Sequence, residues 1–193
     1  MIYFLDIEAS SLEQGSFPIE IGWVSEDGVG ESHLIRPEPA WTTWNPESEK
    51  VHQITRNMLA TEGQPAAWVA RRALDVLPPD TVVGISDAPG PDQYWLSRLL
   101  DVVKSSSHPV LFDLTHLLRQ DVQPLLRHLQ ARRMEAEEMR ATVVGMVLKV
   151  QEDEAARVRV RHRALPDAEG LHWRWREVQR RVAEAVGKPI GDR

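Results

Sequence analysis

The sequence predicts an α/β domain built on a single mixed β-sheet flanked by helices. Three observations predict it. Short runs rich in β-branched and aromatic residues occupy the first 35 positions. From about residue 64 the apolar period becomes helical and alternates with two further short runs. Beyond Leu114 the chain reads as helix nearly to its end. Strands first, then alternating helix and strand, then helices, is the pattern of one sheet covered by helical layers. At 193 residues and 21.9 kDa the chain can bury a sizeable core, and one domain over residues 1–193 is expected.

The elements follow in order. Residues 2–7 are a short apolar run with Tyr3 and Phe4, suited to a buried strand. Residues 19–24 form a second run. Glu26-Asp27-Gly28 is a turn signal, and residues 31–35 read as a third strand in a hairpin or meander. Pro37, Pro39 and Pro46 mark a loop holding Trp41 and Trp44. Residues 64–77 place Trp68, Val69, Ala73, Leu74 and Leu77 at helical spacing, and Pro78-Pro79-Asp80 stops that helix. Residues 81–85 are β-branched and read as a strand. Gly90-Pro91 opens a helix with Trp95, Leu96, Leu99, Leu100 and Val103 on one face, and residues 110–112 give another short strand. The helical remainder is expected to break near Pro124, Arg161 and Pro166, with Arg133 and Glu137 paired at i, i+4 on a solvated face. Trp23, Trp68, Trp95 and Trp175 fall at core positions, and Trp41 and Trp44, in the proline-rich loop, are the candidates for stacking on a base.

Composition narrows the function. Hydrophobic residues are 42% and charged residues 27%, as in a folded globular chain. There is no cysteine, which excludes disulfides, thiolate catalysis, zinc–thiolate sites and iron–sulfur clusters. The first apolar run ends at Asp6, so no signal peptide is expected, and no run reaches the roughly 18 apolar residues of a membrane span. A cytoplasmic protein with no membrane partner is the expectation. The net charge of −6 argues, over the whole chain, against a simple basic nucleic-acid binder.

Three features carry chemistry. Asp6 and Glu8 lie two apart on the first strand and therefore face the same way. Two carboxylates on a strand between Leu5 and Ile7 repel each other, and a divalent cation relieves that repulsion. His162 and Asp167 can converge if the histidine sits in a loop and the aspartate in the first helical turn, where Pro166 is tolerated. Asp92 opens a helix after a strand, with Asp87 nearby as a competing candidate. Singly, each has a plain alternative: a solvated strand end, a surface histidine, or an acid favoured by a helix dipole.

In order along the chain the three features form a recognisable set. FLDIEASSL, Pro18-Ile-Glu-Ile-Gly22, Val51-His-Gln-Ile-Thr55, Asp92-Gln-Tyr-Trp-Leu96 and HRALPDA (residues 162–168) resemble the motifs of the DEDDh branch of the DnaQ-like 3′→5′ exonucleases. That family includes ribonuclease T, oligoribonuclease and the polymerase proofreading subunit. The resemblance spans Tyr3 to about Val182. Ser86-Asp87 stands where the family often has His-Asn, and Pro91 replaces a usual aromatic.

The resemblance implies a ribonuclease H-like fold and hydrolysis of phosphodiester bonds at the 3′ end of single-stranded nucleic acid, with RNA slightly ahead of DNA. It implies two divalent ions, Mg²⁺ or Mn²⁺, held by Asp6, Glu8, Asp92 and Asp167, with His162 as general base. It implies that Ala9, Ser10, Ser11, Leu12, His52 and Ile54 meet the terminal nucleotide, and a homodimer is one assembly seen among such enzymes. An inactive relative that binds nucleic acid or a protein is a second reading, and an acidic interaction domain a third. The charge is divided: residues 1–118 carry 7 Lys or Arg against 17 Asp or Glu, a net of −10, and residues 119–193 carry 16 against 12, a net of +4. Arg157, Arg159, Arg161 and Arg163 lead the basic half into the histidine motif, where they could meet phosphates.

Overall fold

Eight residues of alternating burial, Ile2–Ala9, make the central strand β1 of the sheet in the computed structural model, which describes residues 1–79 and 81–187. Asp80, expected in the turn after residue 77, lies outside the described residues. Strand β1 pairs antiparallel with β2 (Pro18–Ser25) and parallel with β5 (Val83–Ile85). Strand β3 (Gly30–Arg36) adds antiparallel to β2 as the expected meander. Two-residue strands β4 (Gln64–Pro65) and β6 (Leu111–Phe112) complete the order β4-β3-β2-β1-β5-β6. The mixed sheet flanked by helices is the architecture the sequence predicts.

The described residues fall into two compact units, residues 1–79 and 81–113 with 159–171, and residues 114–158 with 172–187. In the first unit the period-two alternation of β1 divides the chemistry. Leu5 and Ile7 join Ile19, Ile21 and Trp23 of β2 in a core closed by helices α3 (Ala66–Val76) and α4 (Pro89–Asp101) through Val69, Ala73, Leu96, Leu99 and Leu100. Truncating a fully buried member such as Leu96 to alanine costs about 2–5 kcal/mol. The opposite face carries Phe4, Asp6 and Glu8, and there the first turns of helix α8 (Ala164–Ala185) cover the sheet.

Gly22 permits that cover. It is the register partner of Asp6, and a Cβ added to it would lie 2.4 Å from the Leu165 backbone nitrogen and 2.6 Å from the Ala164 carbonyl carbon. Gly22→Ala is expected to destabilise the fold by about 1–3 kcal/mol and to shift the start of α8. A lowered melting temperature together with weakened divalent-ion binding is the expected measurement. An unchanged pair of values would contradict this account.

Two short helices fall where the sequence reads as loop and unassigned chain, α1 (Pro46–His52) and α2 (Arg56–Thr61). Both are too brief to show a period, and both are set by local caps. The Asn45 side chain accepts from Glu47 N and the Thr55 side chain from Met58 N. Trp23, Trp95 and Trp175 are buried as expected, whereas Trp68 is 46% exposed, its indole edge-on to His33 at the sheet margin.

The second unit contains α5 (Thr115–Asp121), α6 (Gln123–Ala131), α7 (Ala136–Ala155) and the later turns of α8. Its buried residues include Leu118, Leu125, Leu129, Val150, Val178 and Val182. Asp121 accepts from Trp175 Nε1 at 2.8 Å and from Gln179 at 3.2 Å. The expected break near Pro124 is the junction at Val122, where α5 ends and Pro124 stands in the first turn of α6. Arg133 takes a left-handed φ of 58° between α6 and α7, so the expected Arg133–Glu137 helical pair does not form. Among the described residues no helix is long and apolar enough to cross a membrane.

Candidate active site

Asp6 and Glu8 reach the same face of the sheet, and two acidic groups gather around them. Ligand atoms of Asp6, Asp87 and Asp92 lie within 4.8 Å of one another, as do those of Glu8, His162 and Asp167. Four separate parts of the chain thus converge within the first unit: strand β1, the turn after β5, the first turn of α4 and the entry to α8.

Each placement has a local cause. Asp92 sits one turn into α4, which begins at Pro89; its carboxylate accepts from the Ser86 hydroxyl, and Ser86 Oγ accepts in turn from Ala88 N at 3.0 Å. Asp167 lies in the first turn of α8, where its Oδ2 accepts from Arg163 N at 3.2 Å and its Oδ1 from Arg159 Nη1 at 2.5 Å. His162 holds a left-handed φ of 57°, a costly conformation for a residue with a Cβ, and is exposed beside Glu8. Asp87 is exposed and stands beside Asp92 around Asp6.

Glu20 and Arg163, which no local sequence pattern marks as partners, fix this site. Glu20 is the register partner of Glu8 on β2 and is 3% exposed. Its two oxygens take the Arg163 guanidinium at 2.7 and 2.9 Å, and Oε2 also accepts from Ala164 N at 3.0 Å. The buried acid therefore satisfies the first amide of α8 and pins the helix entry, with Asp167, across from Glu8. The signals were present in the Pro18–Gly22 phrase and in the arginine after His162. Nothing local pairs them, because they stand 143 positions apart.

The electrostatics of the cluster call for a cation. Burial, then repulsion by Asp92, Glu8, Asp167 and Asp87, holds the Asp6 carboxyl well above the usual carboxylate range. Burial, then Asp167, Glu20 and Asp92, pushes Glu8 to about 7. Burial pushes Asp92 to about 7 against the opposing hydrogen bond from Ser86. Such a set of oxygen donors fits a hard divalent ion, which would let all of them ionise. Asp6, Glu8, Asp92 and Asp167 are the residues that could hold it, with Asp87 and His162 at its edge.

These raised values set a pH dependence. The folded metal-free chain holds these protons more tightly than the unfolded chain. The resulting stabilisation is complete below the ordinary carboxylate range and is lost as pH rises toward about 7. The melting temperature in EDTA is expected to fall between about pH 5 and pH 8, and Mg²⁺ or Mn²⁺ to raise it more at the upper end. A divalent-ion shift that is equal at both ends would remove this assignment.

The residues expected at the terminal nucleotide divide. Leu12 is 86% exposed. Ala9, Ser10 and Ser11 are buried, with the serine hydroxyls turned to their own loop: Ser10 Oγ accepts from Phe17 N and Ser11 Oγ from Glu13 N. Ile54 lies wholly in the hydrophobic core. His52 is buried, and its Nδ1 accepts from Ile54 N at 3.0 Å, which leaves the proton on Nε2. That Nε2 has no partner among the described residues, and burial holds the ring's pKa below its ordinary value.

This sheet with these covering helices is the fold of the ribonuclease H-like exonucleases. The E. coli exonuclease I–single-stranded DNA complex in its zinc-bound form superposes with a TM-score of 0.63 at 14% identity, over 96% of this chain and 42% of that one. Pop2p of S. pombe, in a form with Mg²⁺ and Mn²⁺ bound, gives 0.62 at 11% identity over 95% of this chain and 84% of its own. Exonuclease I of Methylocaldum szegediense gives 0.61 at 16%, over 96% and 42%. The chain thus spans less than half the length of the exonuclease I structures. The sequence matches no protein-family model and no curated protein.

Proposed function

We propose that the protein is a metal-dependent 3′→5′ exonuclease acting on single-stranded nucleic acid, with the catalytic machinery of one exonuclease domain. The observation that carries this reading is the meeting of residues from distant parts of the chain in two electrostatically coupled groups, Asp6 with Asp87 and Asp92, and Glu8 with His162 and Asp167. The fold likeness to exonuclease I and Pop2p supports it, and their bound single-stranded DNA and bound Mg²⁺ and Mn²⁺ suggest the substrate class and the ions.

Asp6, Glu8, Asp92 and Asp167 would hold two Mg²⁺ or Mn²⁺ ions, whose chemistry is Lewis-acid stabilisation of phosphoryl oxygens and acidification of a bound water. His162, exposed at the lip beside Glu8 and Asp167, accepts a proton from the attacking water on a ring nitrogen. The oxygen–phosphorus bond forms as the bond to the 3′ oxygen of the preceding nucleotide breaks. A nucleoside 5′-monophosphate leaves, and the strand keeps a new 3′ hydroxyl. On this reading Leu12, exposed on the loop after β1, meets the last base.

The test is digestion of 5′-labelled single-stranded RNA and DNA of one sequence, with Mg²⁺ or Mn²⁺ and with EDTA. Stepwise shortening from the 3′ end that EDTA abolishes is expected. Binding of the strands with no shortening under any ion would replace this reading by that of an inactive binding relative.

A further inference from the structure

A cavity of about 380 Å³ stands beside the loop that leaves β1. Phe17, Trp41 and Trp44 wall it, with Pro37, and Arg36 and Arg56 supply its polar lining. We propose that it is a subsite for a nucleotide upstream of the 3′-terminal one, taking its base against Trp44, with the buried Phe17 and Trp41 rings as the floor, and its phosphate on the arginines. The proposal rests on the exonuclease reading and names where the strand runs beyond the scissile bond.

The lining has the chemistry of such a ligand. Phe17 and Trp41 stack at 5.5 Å, and Trp44 stands 6.4 Å from Phe17. The Trp44 indole is fixed by donating from Nε1 to Glu49 at 2.8 Å. Arg56 lies 4.8 Å over the Trp44 ring, steadied by its bond to the Thr42 carbonyl at 2.9 Å, so it offers a second planar platform. The cavity lining includes two cations and no acid, and among the described residues neither guanidinium is paired with a carboxylate. In the half of the chain that carries a net −10, two uncompensated cations around aromatic rings select a ligand both planar and anionic. The volume lies within the range of small-ligand pockets.

Position ties the cavity to the strand. Ser10, two residues past Glu8, accepts from Phe17 N through its hydroxyl at 3.1 Å and from Asn45 N through its carbonyl at 2.9 Å. The Trp44 ring meets His52 edge-on at 6.4 Å. A nucleotide whose phosphate is held at the carboxylate cluster cannot place that phosphate on Arg36 or Arg56. The nucleotide in the cavity is therefore a different one, further from the 3′ end.

The experiment measures binding of hexathymidylate and hexauridylate, and of versions each lacking one base, by fluorescence anisotropy. The 193-residue chain is used with Asp6→Asn to prevent hydrolysis, alone and combined with Trp44→Ala or with Arg36→Gln and Arg56→Gln. Removing one particular non-terminal base is expected to weaken binding about 5- to 100-fold. Trp44→Ala should cost a similar factor, and the two losses should not multiply. The arginine pair, exposed and free of any structural role in the core, should weaken binding and flatten its salt dependence. The proposal is overturned if all variants bind like the parent, if the losses multiply, if the sensitive base is the terminal one, or if the unmodified strands do not bind. Hydrolysis of 3′ ends by the unmodified protein, measured separately, shows whether the exonuclease reading stands when the subsite fails.

Discussion

Asp6→Asn is expected to lower 3′-end hydrolysis by at least about two to three orders of magnitude while making the metal-free chain more stable near neutral pH. The two effects have one cause. Asp6 is half-buried among Glu8, Asp87, Asp92 and Asp167, and its charge is costly there unless a cation offsets it. Asparagine keeps the shape and removes the charge. Relief of about 1 kcal/mol would raise the melting temperature in EDTA by a few degrees at about pH 8, and the rise caused by Mg²⁺ or Mn²⁺ should shrink. Rates on a labelled single strand and melting curves with and without EDTA check both halves. A variant that keeps its activity, or that loses stability in EDTA, would argue against the cluster as a cation site.

His162→Gly should cost about 10²–10⁴ in rate, the usual worth of a positioned general base. Glycine accepts the left-handed φ of 57° more readily than histidine does, so the fold should not suffer. The proton-acceptor role has its own signature, in that added imidazole should restore part of the rate. Divalent-ion stabilisation should persist, because the four carboxylates remain. If that stabilisation disappears and imidazole does nothing, His162 is a ligand in company with Glu8 and Asp167 and not the base.

Much of this site can be read from residue order alone, and the unread part has a physical reason. Asp6 and Glu8 share a face because strands alternate, and Asp92 and Asp167 sit in first turns because Pro89 and the 162–168 motif place helix starts there. Those are local rules. Glu20 is different: its burial, its fork to Arg163 and its hold on Ala164 depend on β2 lying beside β1, which no short window contains. Ser86 on Asp92 and Arg159 on Asp167 are closer pairs, yet they depend on the path of the turn between them and follow neither the strand nor the helix period. In the fold, Trp68 looked like core because it shares a helical period with Val69 and Ala73, yet it ends at the sheet margin against His33. Helices α1 and α2 are held by Asn45 and Thr55 caps too local for any periodicity to reveal.

The first unit is closed by residues 159–171, which follow the whole 114–158 segment in the chain. That order has a consequence during synthesis. The sheet, Asp6, Glu8, Asp87 and Asp92 can leave the ribosome and fold long before His162 and Asp167 exist as polypeptide. Until then the face around Gly22 lacks its helix, and Glu20 lacks Arg163. A ribosome-bound chain stalled before residue 159 would thus carry Asp6, Glu8, Asp87 and Asp92 without His162 and Asp167, and the carboxylate face would be completed only after the whole 114–158 segment has been made.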